Sequence, residues 1–107
     1  MGTVYILIIK IVARKMLRDF WVRHPDAKGP LTAWFHTARQ AEWAGPAEIR
    51  AMFRSADFVG DNRVIFNIGG NKYRLVVHIY YPHRIVRTKF IGTHRQYGRI
   101  NPEPVGP

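Results

Sequence analysis

Arg63-Val64-Ile65-Phe66-Asn67-Ile68-Gly69-Gly70-Asn71-Lys72-Tyr73-Arg74-Leu75-Val76-Val77-His78-Ile79-Tyr80 is the stretch on which the fold turns. Its two halves are rich in Val, Ile, Phe and Tyr and flank a glycine pair, which predicts strands over Arg63–Ile68 and Lys72–Tyr80 joined by a tight hairpin. A third run of the same kind, Arg84–Thr93, follows a second turn at Pro82-His83, so the three strands form an antiparallel meander.

Pairing fixes which side chains share a face. With Ile68 opposite Asn71 and Tyr81 opposite Arg84, one face carries Arg63, Ile65, Asn67, Lys72, Arg74, Val76, His78, Arg87, Lys89, Ile91 and Thr93. The other carries Val64, Phe66, Ile68, Tyr73, Leu75, Val77, Ile79, Val86, Thr88 and Phe90 and reads as a core surface. A one-residue change in either turn reverses the facing of a strand.

Upstream the period lengthens from two to between three and four. Met16, Leu17, Phe20 and Trp21 lie on one stripe of a helix over Arg14–His24. Leu31, Trp34, Phe35 and Ala38 repeat likewise in a second helix, opened by Pro25-Asp26 and reaching close to Trp43, with Pro30 near its first turn. Ala44-Gly45-Pro46 stops it, and Pro46 suits the start of a short third helix carrying Ile49, Met52 and Phe53. The tryptophans therefore read as core. Helices followed by a meander give an α+β fold, with the N-terminal helices packed on one face of a small antiparallel sheet.

In a chain of 107 residues, a second core would leave each half too little apolar area, so residues 1–100 are expected to form a single domain. Residues 101–107, rich in Pro and Gly, read as a flexible tail. The apolar run Val4–Ile9 is too short for a signal-peptide core or a membrane span. Cysteine is absent, which removes disulfides, thiolate metal sites and cysteine nucleophiles together and suits the cytoplasm. Seventeen Lys and Arg against seven Asp and Glu give a formal charge of +10, which favours nucleic acid as partner over anionic membrane.

The polar face of the sheet concentrates that charge. Arg63, Lys72, Arg74, Arg87 and Lys89 stand there without an acid among them and with Ile65, Val76 and Ile91 interspersed, the composition of an anion-binding concavity. A solvated charged face is ordinarily the commoner outcome. Asn71 and Lys72 either touch a nucleic-acid backbone or simply satisfy the turn. His78 and His83 lack a third ligand at suitable spacing, so no metal is expected. Gly69-Gly70 lacks the length and the ending of a Walker loop.

The segment Val64 to Val76, followed by Lys89-Phe90-Ile91-Gly92-Thr93-His94-Arg95-Gln96-Tyr97, closely resembles the HigB toxin family of the RelE/ParE superfamily. Ala13-Arg14-Lys15, Asp19-Phe20-Trp21 and His24-Pro25-Asp26-Ala27 look like that family's opening helices, so the resemblance covers Ile9 to Ile100. It implies a RelE-like fold and the toxin of a type II toxin–antitoxin pair. The implied activity is metal-independent, cofactor-free cleavage of mRNA on the translating ribosome. The implied partners are mRNA, the ribosome and a HigA-type helix-turn-helix antitoxin, through which operator DNA is reached only indirectly; no membrane is involved. By resemblance Arg74 takes the place of the superfamily's substrate-phosphate arginine, and His94 falls where RelE has another catalytic arginine. Gly98 stands where family members commonly carry an acid, and because members usually begin close to Lys10-Ile11-Val12-Ala13, the resemblance makes residues 1–8 an N-terminal extension.

Cleaving RNA without metal requires removing the 2′-hydroxyl proton, stabilising the charged phosphate and protonating the 5′-oxygen. Arg74 is expected to clamp the phosphate, since a guanidinium is always charged and contacts two oxygens at once. Lys89 adds a second charge, His94 is the expected proton carrier, and Tyr97 donates a hydrogen bond or stacks on a base. Without the motif His94 would more often be a surface loop histidine, and Tyr97 an aromatic closing the core edge. Arg63, Asn67, Asn71, Lys72, Arg87, Thr93 and Arg95 complete the expected RNA contacts. Two rival functions share these residues: a ParE-like gyrase inhibitor that binds without cleaving, and a non-catalytic basic RNA- or ribosome-binding module.

Overall fold

The computed structural model describes residues 9–106. The extension expected over residues 1–8, and all of Val4–Ile9 except Ile9, lie outside the described residues. In chain order the elements are β1 (Lys10–Val12), α1 (Arg14–Arg23), a 3₁₀ turn at Pro25–Ala27, α2 (Lys28–Gln40), α3 (Pro46–Met52), β2 (Asp57–Val59), β3 (Arg63–Ile68), β4 (Tyr73–Tyr80), β5 (Ile85–Thr93) and α4 (His94–Tyr97). The fold is α+β, as expected. The expected meander β3-β4-β5 is the centre of a wider sheet ordered β1-β5-β4-β3-β2, in which β1 runs parallel to β5 and the other neighbours are antiparallel.

The helical stripes bury as their spacing requires. Leu17 and Phe20 of α1, Leu31, Trp34 and Ala38 of α2, and Ile49 of α3 join Val64, Phe66, Leu75, Val77 and Val86 of the sheet in one core. Its centre is aromatic: the Phe66 ring lies 5.4 Å from Trp34, 6.0 Å from Trp43 and 5.0 Å from Phe53. Each such large side chain, once buried, contributes about 1.5–3 kcal/mol. Two of the three tryptophans, Trp34 and Trp43, are thus core, and Trp21 packs against the core half-buried. Helix two is shorter than its apolar pattern suggests: Pro25–Ala27 forms a separate 3₁₀ turn, and Ala41 is already extended, leaving Trp43 in the following link.

Two details of register decide what faces outward. Ile68 pairs with Tyr73, not Asn71, so the first hairpin closes through residues 69–72, with both glycines at positive φ. The slip is two residues, and two is the side-chain period of a strand, so the facing of Arg63, Asn67, Arg74 and His78 is unchanged. Tyr80 pairs with Ile85 as expected.

The second detail does change the facing. Val77 pairs with Thr88, but its neighbour Val76 pairs with Phe90, so Lys89 is the extra residue of a β-bulge. Beyond it the alternation reverses. Phe90, expected in the core, shares the open face with Val76; Ile91 and Thr93, expected on the open face, pair with Leu75 and Tyr73 on the helix side. Ile91 packs against the core accordingly.

Candidate nucleic-acid interface

Arg74 sits mid-row on the open face, between Asn67 of β3 and Gly92 of β5. Gly92 is a glycine for a steric reason. A β-carbon there would strike the Phe90 ring and come within 2.8 Å of the Gln96 side-chain oxygen. The small residue thus leaves room for the Phe90 ring and the Gln96 side chain to close over the strand beside Arg74, and Gly92 itself is buried. The Arg74 guanidinium donates 3.3 Å bonds to the carbonyls of Asn71 and Tyr73, and among the described residues it pairs with no carboxylate.

The strand then turns into α4 through a capping box. The Thr93 hydroxyl accepts from the Gln96 amide at 3.1 Å, and the Gln96 side chain accepts from the Thr93 amide at 2.8 Å. This fixes where His94 begins. The His94 amide also donates to the Lys72 carbonyl at 3.1 Å, tying the start of α4 to the 69–72 loop. His94 and Arg95 are exposed, and the Tyr97 ring lies 6.5 Å from that of Phe90. One end of the sheet therefore gathers Asn67, Asn71, Arg74, His94 and Tyr97 around Gly92, with Arg95 on the same short helix.

Lys89 belongs to a different neighbourhood. It precedes Gly92 by three residues, about 10 Å at the rise of a strand. Burial lowers its ammonium pKa first, with the charges of Arg63 and Arg87 adding to the effect and Asp61 opposing it. Arg63, Lys89 and Arg87 thus form a second group, in which His78 pairs with Arg63 and with Arg87 across the strands. The expected convergence of Lys89 with Arg74 and His94 on one point is not what the backbone arranges.

Three further residues have structural employment. Lys72, in the turn rather than on the open face, donates to Asp26 at 2.9 Å. Asp26 also accepts from the Tyr73 hydroxyl, and that bond, then Lys72, holds its carboxyl below the usual range. Thr93 is the cap just described, facing the helix side. Arg63 is buried, and its Nη1 donates to the carbonyls of Pro102 and Val105, so the end of the chain, read from composition as a tail, crosses the open face.

Phe90, Gln96 and Asp26 were missed as parts of this region. Gln96 had a sequence signal, the Thr-x-x-Gln pattern of a capping box. Phe90 had none, because a bulge is not written in alternation. Among the described residues, His, Asp and Glu form no group of three that could hold a metal, and no helix is long and apolar enough to cross a membrane. His78 lies 3.9 Å from Asp61, whereas His83 stacks on Tyr80 at 4.7 Å.

The chain is 27% identical over 89 residues to the mRNA interferase toxin HigB of Escherichia coli strain K12, covering 81% of this chain and 86% of that protein. The mRNA interferases HigB of Escherichia coli O157:H7 and of Shigella flexneri match to the same extent. Residues 27–100 match the family model described as HigB_toxin, RelE-like toxic component of a toxin-antitoxin system, so the chain belongs to the HigB toxin family.

Proposed function

We propose that this toxin is an endoribonuclease that cleaves mRNA, without a metal ion, on the translating ribosome in the cytoplasm, and that a HigA-type helix-turn-helix antitoxin restrains it. The observation that carries the reading is that Arg74, Asn71, His94 and Tyr97 stand at one end of the sheet, with Arg74 paired to no carboxylate among the described residues, on a chain of charge +10. The relatives' names, mRNA interferase, supply the reaction.

RNA lies along the open face with a phosphodiester beside Arg74, in the row it shares with Gly92. Arg74 contacts its non-bridging oxygens and offsets the charge that builds in the transition state. His94 takes the proton of the 2′-hydroxyl, whose oxygen forms the new bond to phosphorus while the bond to the 5′-oxygen breaks. Tyr97 donates a hydrogen bond to the departing 5′-oxygen, which takes a proton from water while His94 returns its proton to solvent, and the products are a 2′,3′-cyclic phosphate and a 5′-hydroxyl. Phe90, half-buried over Gly92, offers a ring for a base to stack on. Arg87 and Lys89, further along β5, suit neighbouring phosphates, and Asn67, Asn71 and Arg95 suit the backbone nearer Arg74.

The test is induction of the wild type, Arg74→Ala and His94→Ala in cells, with transcript 5′ ends mapped. Breaks within translated codons, lost in both variants, are the expected result. Intact transcripts with stalled replication would replace the nuclease with a gyrase inhibitor of the same fold. Intact transcripts without growth arrest would leave a binding module.

A further inference from the structure

Arg63 is an unusual residue to find buried. It stands on the face of the sheet turned away from the helices, is 6% exposed, and gives its Nη1 to two carbonyls, of Pro102 and Val105. Its Nε is buried and, among the described residues, has no hydrogen-bond acceptor, with the Asp61 carboxylate 3.8 Å away. Two other contacts hold the same segment down. A β-carbon on Gly60 would overlap the Glu103 carboxylate, and one on Gly106 would overlap the Lys89 carbonyl. Beneath this segment Ile65 and Val76 are buried, although neither belongs to the helix-side core.

Residues 101–106 are therefore a strap laid across the Arg63 end of the open face, leaving the Arg74 and His94 end uncovered. The ligands it gives Arg63 are oxygens, the same atom type that a phosphate would offer, but they are uncharged. A guanidinium bonds anionic oxygen more strongly than neutral oxygen. The group around it is also cationic: Lys89 follows from the bulge, and Arg87 is exposed in the row that His78 shares with Arg63. The Glu103 carboxylate rides on the strap beside Gly60, and Asp61 stands 3.8 Å from Arg63 at the edge of the cluster.

We infer that Arg63, with Lys89 and Arg87, is a second phosphodiester-binding subsite, and that the C-terminal strap 101–106 occupies it as an intramolecular competitor that RNA displaces. The inference rests on the reading of the open face as an RNA surface. It adds that the length of strand engaged is set by whether the strap is in place.

The probe is a short single-stranded 2′-O-methyl RNA, which binds but lacks the attacking hydroxyl. Its affinity is measured by fluorescence anisotropy over a salt series, for the full chain and for a chain ending at Ile100. The shortened chain should bind about tenfold tighter, the scale of one hydrogen-bonded charge pair gained. Its log-affinity against log-salt slope should steepen by about 0.7 for each phosphate newly contacted. Arg63→Gln in the shortened chain should return affinity and slope to the full-length values. Equal affinity and slope in the full and shortened chains overturn the inference, as does a gain that survives Arg63→Gln.

Hydrogen exchange on the intact full chain covers the case in which the shortened one fails to fold. Binding of the same RNA should speed exchange at the Glu103, Val105 and Gly106 amides while β4 stays protected; unchanged or slower exchange there overturns the inference. Both measurements concern an uncleavable strand. Transcripts left intact in cells would thus remove the nuclease and not the strap, whereas cleavage with an unaltered salt slope would remove only the strap.

Discussion

Asp26 shows how much one carboxylate can organise. It lies in the 3₁₀ turn between α1 and α2, accepts from Tyr73 and Lys72, and so fastens the first hairpin to the helix layer near the loop to which the His94 amide is tied. Its pKa is lowered by the Tyr73 bond first and then by Lys72, and the Tyr73 hydroxyl is correspondingly raised, chiefly by the same bond. A carboxylate depressed in the folded state contributes stability that is present above its unfolded pKa of 3.8 and is lost as pH falls through the folded value. A phenol raised in the folded state contributes stability present below its unfolded value of 10.0 and lost as pH rises through the folded one. Asp26→Asn should therefore lower Tm at neutral pH, and its deficit should shrink as pH is taken below 3.8. A deficit independent of pH, read by thermal melts across that range, would show that the carboxylate charge is not what the turn uses. Lys72 was placed on the open face by alternation, and nothing in the hairpin alone could reveal an acid 46 residues earlier in the chain.

Among the elements, α4 depends most on its first residue. Four residues cannot sustain a helix by backbone bonding alone, so the reciprocal Thr93 and Gln96 bonds define it. Thr93→Ala should cost about 1 kcal/mol of stability, the usual value of an N-cap. It should also slow RNA cleavage well beyond that stability loss, because His94 follows the cap directly. Thr93→Ser should restore both. Recovery of stability without recovery of cleavage in the serine variant would separate the cap from the position of His94. At this scale the sequence was legible where a physical period governs it. The three meander strands and the facing of Arg74 were readable because a two-residue slip preserves alternation. The facing of Phe90, Ile91 and Thr93 was not, because the bulge at Lys89 adds a residue that no local propensity marks.

Taken whole, the molecule divides its labour between two faces of one sheet. The face against the helices is packed around Phe66 and holds the fold; the other carries cations in two groups, separated along β5 and unequally covered. Composition foretold the charge, and the family motif marked the Arg74 and His94 end. The strap was not legible, because Pro and Gly describe a segment without its own secondary structure and say nothing of carbonyls meeting a distant guanidinium. The two groups should be separable by kinetics. On the proposed reading Arg74, in the row with Gly92, acts on the phosphate whose charge rises during reaction, so Arg74→Ala should lower the rate at saturating RNA by roughly 10²–10³, as loss of one oxyanion donor does. Arg87, exposed and beyond the bulge, meets a phosphate whose charge does not change. Arg87→Ala should therefore leave the saturated rate alone, weaken binding evenly across sequences and flatten the salt slope by about 0.7. The discriminating measurement is single-turnover cleavage against RNA concentration for both variants, repeated at several salt concentrations. If Arg87→Ala instead reduces the saturated rate while Arg74→Ala changes only the concentration needed to reach it, the scissile phosphate lies at the bulge and not beside Arg74, and the roles of the two groups are exchanged.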